Sequence, residues 1–349
     1  MDIFVKTPLG GYNVLIGYGA IENDKSYENI PHGGKTLIVT DDGVPKAYAK
    51  TVASHFSTPV IITLPQGERS KSLENYALLQ KTMCERGFTR GDKAIAVGGG
   101  VIGDLCGFAA ATYMRGIAFY NFPTTFLADV DSSIGGKTAI DFCGVKNIVG
   151  AFYPPRKVVI DTRVLETLPL RQLSAGIAES IKMAATSDKA LFSLLETAAE
   201  DYPASFLSHA EEIILKSLLI KKAVIETDPI EQGLRRVLNF GHTAGHAIES
   251  KYKGELLHGE CVALGMLPMC APPAVRAGIE KLLSAYHLPI HAEFSKNDIL
   301  QFLRHDKKAD ADEITAVYVD EIGSFRFQKE SAEEIAARSA EILCGGTKQ

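Results

Sequence analysis

Three histidines, one glutamate and a set of cations have the types and spacing that suit chemistry. His242 and His246 stand at i, i+4, which lets two imidazoles on a helix reach one metal ion. His258 opens an apolar helical stretch, His258 to Met266. Glu179 interrupts another in Ala175-Gly-Ile-Ala-Glu-Ser-Ile-Lys182. A lone histidine is usually a hydrogen-bonded structural residue. Three of them, with a carboxylate, on otherwise apolar helices call for a different reading. One carboxylate and two imidazoles leave coordination positions open, as at a catalytic cation. Spacing alone leaves open which two of the three histidines bind.

Read as one helix of about 100° per residue, Glu231, Arg235, Asn239, His242, His246 and Glu249 fall within about 80° of one another. Phe240, Ala244 and Ile248 lie on the other side, and Leu238 borders the stripe. Solvent-facing stripes usually carry Lys and Glu. This one has no Lys and carries Arg, Asn and two His beside its two Glu, which suits a polar cleft better than bulk water. Gly241 and Gly245 each weaken such a helix by about 1 kcal/mol relative to alanine. Close packing is a reason to keep them.

A second constellation lies upstream. The buried-strand pattern Lys93-Ala-Ile-Ala-Val97 runs into Gly98-Gly-Gly-Val-Ile-Gly-Asp104, and a helical pattern follows. A strand, a glycine turn and a helix aim backbone N–H groups and the helix dipole at a phosphate. The glycines are not ordered as G-x-G-x-x-G, so the common dinucleotide fingerprint is absent. The alternative is a tight corner with no ligand. Thr124-Thr125, after the next strand, adds hydroxyl donors.

These residues need elements to position them. Strand patterns at 2–6, 13–16, 35–40, 60–64, 93–97 and 117–121 alternate with helical ones at 44–55, 72–86 and 101–114. That alternation predicts parallel βαβ units in an open α/β sheet. Ser70 or Ser72 is the expected cap of the second helix. Segments 132–136 and 141–150 read as loops. From 162 to 303 the period is nearly all helical, broken at Pro203, Asp228-Pro229, Pro272-Pro273 and Pro289. A hairpin over 313–319 and 324–328 and a helix over 332–343 close the chain. The expected organisation is an α/β dinucleotide-binding domain over 1–160 and a mainly α-helical metal- and substrate-binding domain over 161–349. Ligands are expected outside the carboxyl ends of the strands or between domains.

Composition bounds the function. The 349 residues carry a net charge of −5 and are 46% hydrophobic, which excludes a wholly disordered chain and argues against a general nucleic-acid surface. No run approaches a membrane span of roughly 18 apolar residues, and the first ten residues lack a signal-peptide pattern. The expected location is the cytoplasm. Six scattered cysteines without a C-x-x-C pair read as reduced and mostly buried.

Together, Gly98–Asp104, Met114-Arg-Gly116, Pro123-Thr-Thr125, Asp131-Ser-Ser-Ile-Gly-Gly-Lys137, Lys146-Asn147, Gly176-Ile-Ala-Glu179, Asn239-Phe-Gly-His242-Thr-Ala-Gly-His246 and His258-Gly-Glu260 resemble the 3-dehydroquinate synthases of the shikimate pathway. These are sugar-phosphate cyclases. The resemblance runs from about Thr40 to Lys308. It implies conversion of 3-deoxy-D-arabino-heptulosonate 7-phosphate to 3-dehydroquinate and phosphate. The implied steps are transient oxidation by NAD, phosphate elimination, re-reduction and intramolecular aldol closure. NAD and a divalent metal, zinc or cobalt, are the implied cofactors.

The resemblance further implies Glu179, His242 and His258 as metal ligands, with His246 facing substrate. It implies NAD contacts from Asp41, Glu68, Lys71, Gly99, Gly100, Asp104, Thr124, Thr125, Lys146 and Thr167. The implied substrate contacts are Arg115, Asp131, Lys137, Lys146, Asn147, Lys182, Lys221, Arg235, Asn239, His246 and Lys307 or Lys308. Among these, His246, Lys137, Asn147, Arg235 and Lys182 are the expected catalytic residues. A homodimer is also implied. The physics is consistent. Arginine suits a planar carboxylate, and lysines suit a phosphate. The stretch 266–289 is shorter than the family pattern, and Cys261 stands where a small apolar residue is expected. The rival readings are another sugar-phosphate cyclase, a metal-dependent polyol dehydrogenase that releases NADH, and a non-catalytic scaffold.

Overall fold

A computed structural model describes residues 1–8, 10–228, 233–305 and 313–344. It divides into two compact units, Met1–Leu168 and Pro169–Gln349. The first carries β1 (Asp2–Thr7), β2 (Gly10–Gly17), β3 (Lys35–Asp41), α1 (Lys46–Ser54), β4 (Thr58–Leu64), α2 (Leu73–Glu85), β5 (Lys93–Gly98), α3 (Gly100–Thr112), β6 (Ala118–Pro123), β7 (Lys137–Phe142), β8 (Val145–Phe152) and β9 (Lys157–Asp161).

Seven strands form one sheet in the order β1-β2-β9-β6-β5-β3-β4. The β1–β2 pair is antiparallel, and the remaining neighbours run parallel. β3 and β5 are buried along almost their whole length, as expected of strands covered on both faces. Leu37, Val39, Ala94 and Ala96 pack with Ile102, Leu105 and Phe108 in the core. The chain goes from β3 outward to β4, then builds β5, β6 and β9 on the other side of β3. The carboxyl ends of β3 and β5 therefore flank a switch point, where open parallel sheets bind ligands. Ser72 caps α2 by accepting from Asn75 N–H at 3.2 Å.

The segment 141–150 is not the loop its sequence suggests. It lies in a β-hairpin of β7 and β8, which pairs Lys137 with Phe152 and Phe142 with Val145. Cys143 and Gly144 turn the hairpin with φ of 51° and 77°, as a type I′ turn requires at both central positions. Val145, Ile148, Val149 and Phe152 of β8 are all exposed, so the burial alternation that marks a strand is missing.

The second unit carries α4 (Leu170–Ser187), α5 (Lys189–Ala198), α6 (Ala204–Thr227), α7 (His242–Tyr252), α8 (His258–Met266), α9 (Pro273–Ala285), α10 (Lys296–His305), β10 (Glu313–Tyr318), β11 (Arg326–Ser331) and α11 (Ala332–Leu343). β10 and β11 form an antiparallel pair. α11 spans the residues its amphipathic pattern predicts. No helix among the described residues is long and apolar enough to cross a membrane.

Glycine sets how closely α4, α7 and α8 pack. A Cβ on Gly265 would overlap the Gly241 carbonyl and come within 2.6 Å of Gly245 N. A Cβ on Gly245 would meet the Cys261 carbonyl at 2.9 Å, and one on Gly259 would overlap the Ala175 carbonyl of α4. Close packing is therefore the reason these glycines are tolerated in helices.

The polar stripe is not one helix. Leu234–Asn239 is a 3-10 segment, and α7 starts only at His242. Gly241 breaks the path with φ of 79°, and a Cβ there would sit 2.7 Å from the Val262 carbonyl. Arg235 and Asn239 thus belong to one element, and His242, His246 and Glu249 to the next. Glu231, Lys307 and Lys308 lie outside the described residues. No disulfide joins the cysteines; Cys106, Cys261 and Cys270 are buried. Cys84 and Cys143 are exposed, which corrects the expectation of mostly buried thiols.

Candidate functional site

In the second unit, Glu179 sits mid-way along α4 with its side chain almost fully buried. Neither of its oxygens accepts a well-formed hydrogen bond from the described residues. Lys182, one turn on, ion-pairs with Oε2. Oε1 faces His258 Nε2 at 3.5 Å and His242 Nε2 at 3.8 Å. His246 lies one turn beyond His242, and the ring centroids of the pair are 5.1 Å apart. His242, His246 and His258 offer ligand atoms that all lie within 4.8 Å of one another. His246 is the exposed member of the three.

The outer ring nitrogens are also engaged. His242 Nδ1 lies 3.3 Å from the Phe240 carbonyl. His258 Nδ1 lies 2.9 Å from Glu249 Oε2. Both acceptors require a proton on Nδ1, so Nε2 of each ring is the nitrogen that faces Glu179 and that binds a cation once it carries no proton. A buried, underbonded carboxylate facing two such nitrogens fits a divalent cation of the zinc or cobalt kind. His258 is held further by the start of its helix. Glu260 accepts from Leu257 N–H at 2.7 Å and takes a bidentate pair from Arg171 of α4, with N···O distances of 2.6 and 2.7 Å.

The electrostatics follow from this packing. Burial opposes a charge on Glu179, but the Lys182 ammonium and the two histidines outweigh it and hold its pKa well below the usual carboxylate range. Burial, reinforced by Lys182, holds the His242 pKa well below the ordinary value. Burial also opposes protonation of His258, yet Glu179 and Glu249 overcome it and push its pKa up to about 10.

Other expected residues of this unit have defined positions. Lys221 on α6 and Arg235 in the 3-10 segment are buried cations. Arg235 N–H donates to Asp228 Oδ2 at 2.9 Å. Asn239 ends the same segment.

In the first unit, several of the expected nucleotide contacts lie just past the carboxyl ends of parallel strands. Asp41 ends β3, Glu68 follows β4, Gly99 and Gly100 follow β5, and Thr124 and Thr125 follow β6. Asp41 accepts from Gly43 N–H at 2.9 Å, and burial raises its pKa. Lys71 reaches Asp104 Oδ2 on α3 at 2.5 Å. The N-cap of α3 is Gly99, which has no side chain to cap the helix, and a helix N-terminus suits an anion.

Gly98, Gly99 and Gly100 do not take positive φ, contrary to one reason for expecting glycine there. Their role is steric. A Cβ on Gly99 would meet Thr125 at 3.1 Å, and one on Gly100 would meet Ser132 Oγ at 2.9 Å.

The remaining expected residues lie elsewhere in the unit. Lys137 starts β7, while Lys146 and Asn147 lie on β8 of the same hairpin. Asn147 has φ of 56° and donates its N–H to Asp141 Oδ1 at 2.8 Å. Arg115 follows α3 with φ of 70°. Thr167 bonds the Val164 carbonyl at 2.9 Å and Tyr48 at 3.1 Å. Asp131 lies in the π-helical turn Ala128–Ser132, a turn type frequent at functional sites.

Sequence reasoning missed two features. Asp129, in the same turn, is fully buried, and neither carboxyl oxygen has a hydrogen-bond partner among the described residues. Glu249 was legible as a polar residue of the stripe, but nothing in its spacing pointed to His258.

Family models described as 3-dehydroquinate synthase N-terminal and C-terminal match residues 61–175 and 176–309. The chain is 39% identical over 353 residues to a 3-dehydroquinate synthase of Enterococcus faecalis, covering 97% of this chain and 98% of that one. It matches the solved structure of 2-deoxy-scyllo-inosose synthase, complexed with carbaglucose-6-phosphate, NAD+ and Co2+, with a TM-score of 0.88 and 27% identity over 98% of this chain and 100% of that one. It matches 2-epi-5-epi-valiolone synthase from Streptomyces hygroscopicus, with NAD+ and Zn2+ bound, at 0.84 and 25% over 95% and 96%.

Proposed function

This chain belongs to the 3-dehydroquinate synthase family, and on that footing we propose that it converts 3-deoxy-D-arabino-heptulosonate 7-phosphate to 3-dehydroquinate and phosphate. In reaction class it is a cyclising carbon–oxygen lyase. The observation that carries this reading over a related cyclase is the 39% identity to a dehydroquinate synthase along almost the whole of both chains. Identity to the inosose and valiolone synthases is 27% and 25%.

The proposed cation ligands are Glu179, His242 and His258. Support comes from the short Glu179-to-imidazole distances and the engaged Nδ1 atoms. The proposed NAD contacts are Asp41, Glu68, Lys71, Gly99, Gly100, Asp104, Thr124, Thr125, Lys146 and Thr167, and most of them follow the strands beside the switch point. When bound, the cation supplies Lewis acidity toward the substrate's hydroxyls and NAD supplies reversible hydride acceptance.

The chain's own groups do the rest. Arg235 grips the substrate carboxylate as a planar fork, with Asn239 as a further hydrogen-bonding group. Lys137, Lys146 and Lys221 hold the phosphate and offset its charge as it departs. Arg115, Asp131 and Asn147 fix the orientation of the substrate. Lys182, paired with Glu179, keeps the buried carboxylate ionised. His246, exposed beside the two proposed ligands, is the proposed proton-transfer group, an imidazole being able to take up a proton at one nitrogen and give it back.

The test is phosphate release from the heptulosonate phosphate, with and without chelator, with glucose 6-phosphate in parallel. Release is expected from the first substrate alone, to stop with chelator, and to need NAD only in catalytic amounts. Release from glucose 6-phosphate alone moves the chain to the inosose-forming cyclases. NADH accumulating one-for-one with turnover makes it a dehydrogenase.

A further inference from the structure

We propose that Glu249 is the positioning residue that fixes His258 as a metal ligand and tempers the charge of the cation site. This rests on the reading above that Glu179, His242 and His258 hold a divalent cation.

The two imidazoles are not held alike. His242 Nδ1 meets a neutral main-chain carbonyl at 3.3 Å. His258 Nδ1 meets the Glu249 carboxylate at 2.9 Å. A carboxylate accepts and cannot donate, so the shared proton sits on Nδ1, and Nε2, which faces Glu179, is the nitrogen that gives up its proton to a cation. A charged partner also makes that Nε2 a stronger donor to a cation than a carbonyl does.

Glu249 reaches His258 from a separate helix. It lies near the end of α7, and the turn to α8 passes Lys253 and Gly254 with φ of 45° and 93°. That turn brings residue 258 back over residue 249. The charge balance gives the contact a second use. Glu179 is already matched by Lys182 inside the protein. A dication would therefore add two positive charges to a buried site whose local charge is near zero. Glu249 supplies a negative charge through His258 and lowers the cost of that addition.

The experiment uses the full chain, stripped of metal and titrated with cobalt(II), with affinity read by chelator competition and geometry by the visible absorption of bound cobalt. Glu249→Ala is expected to weaken cobalt binding by roughly 10–100-fold and to alter the absorption bands. Glu249→Gln keeps an acceptor oxygen of the same size without charge. It is expected to retain the bands and to lose affinity by a smaller factor than Ala. Thermal unfolding of the metal-free variants is expected to match the parent. Binding within twofold of the parent in both variants overturns the proposal. Equal losses in both variants with a lowered metal-free unfolding midpoint also overturn it, since that is the mark of a structural role. The isosteric Gln variant keeps the test open if Ala fails to fold. A parent chain that binds no cobalt overturns the metal reading, and this inference with it.

Discussion

At the scale of the residue, the proposed cation site is built by subtraction. Glu179 is buried with Lys182 paired to Oε2 but without the well-formed hydrogen bonds that normally repay burial, so Oε1, which faces the two imidazoles, is the oxygen available to a cation. His242→Ala removes a proposed ligand rather than a ligand's partner. Its cation affinity should therefore fall by more than the roughly 10–100-fold typical of an outer partner, and activity should fall with it. Elemental analysis of the purified variant checks this, and full occupancy would remove His242 from the ligand set. Asp129 makes a separate prediction. Burial, aided by the Asp161 carboxylate, raises its pKa well above the ordinary 3.8. A folded-state pKa raised above the unfolded one adds stability at low pH, and that stability is lost as pH climbs through the gap between them. Asn stays neutral throughout. Asp129→Asn should therefore gain on the parent as pH rises from about 4, by at most about 1.4 kcal/mol per pH unit. Denaturant melts from pH 5 to 8 test it, and a constant offset between the two proteins would defeat the idea.

At the scale of the element, the proposed ligands depend on how closely three helices meet. Gly265→Ala puts a methyl group against the main chain of Gly241 and Gly245. α7 and α8 must then part, and with them His242 and His258. A loss of about 1–3 kcal/mol in stability and weaker cobalt binding are expected together. Unchanged values of both would show that the packing has slack. These contacts also explain what could be read in the sequence. The parallel sheet is legible because β3 and β5 are apolar on both faces. The β7–β8 hairpin is not, because β8 buries almost nothing, β7 buries three residues in a row, neither leaves a period of two, and Cys-Gly stands at a turn usually marked by Asn-Gly. The helices bearing Glu179, His242 and His258 are legible because polar residues interrupt apolar runs. The single long helix through Arg235 was a misreading. Periodicity survives a glycine in sequence, but not a left-handed glycine in space. The partnership of Glu249 with His258 crosses from one helix to another, and no local pattern records such a bond.

At the scale of the whole molecule, the two units divide the chemistry by cofactor in the proposed reading. The α/β unit offers a strand-end edge and an uncapped helix to a dinucleotide, and the helical unit offers nitrogen and carboxylate donors to a cation. Saturating cation should stabilise the folded chain by RT ln(1 + [L]/Kd), about 2.7 kcal/mol at one hundred times Kd. Calorimetry with and without chelator measures this, and an unchanged unfolding midpoint would argue against tight binding to the folded form. The meeting of Gly265 with Gly241 bears on heredity as well as on stability. A side chain that crowds its neighbour can be accommodated by shortening the neighbour, but here the neighbour is main chain, which no codon can trim. Selection for recovered growth from Gly265→Ala should therefore return glycine at position 265 itself, with no local suppressor at position 241 or 245.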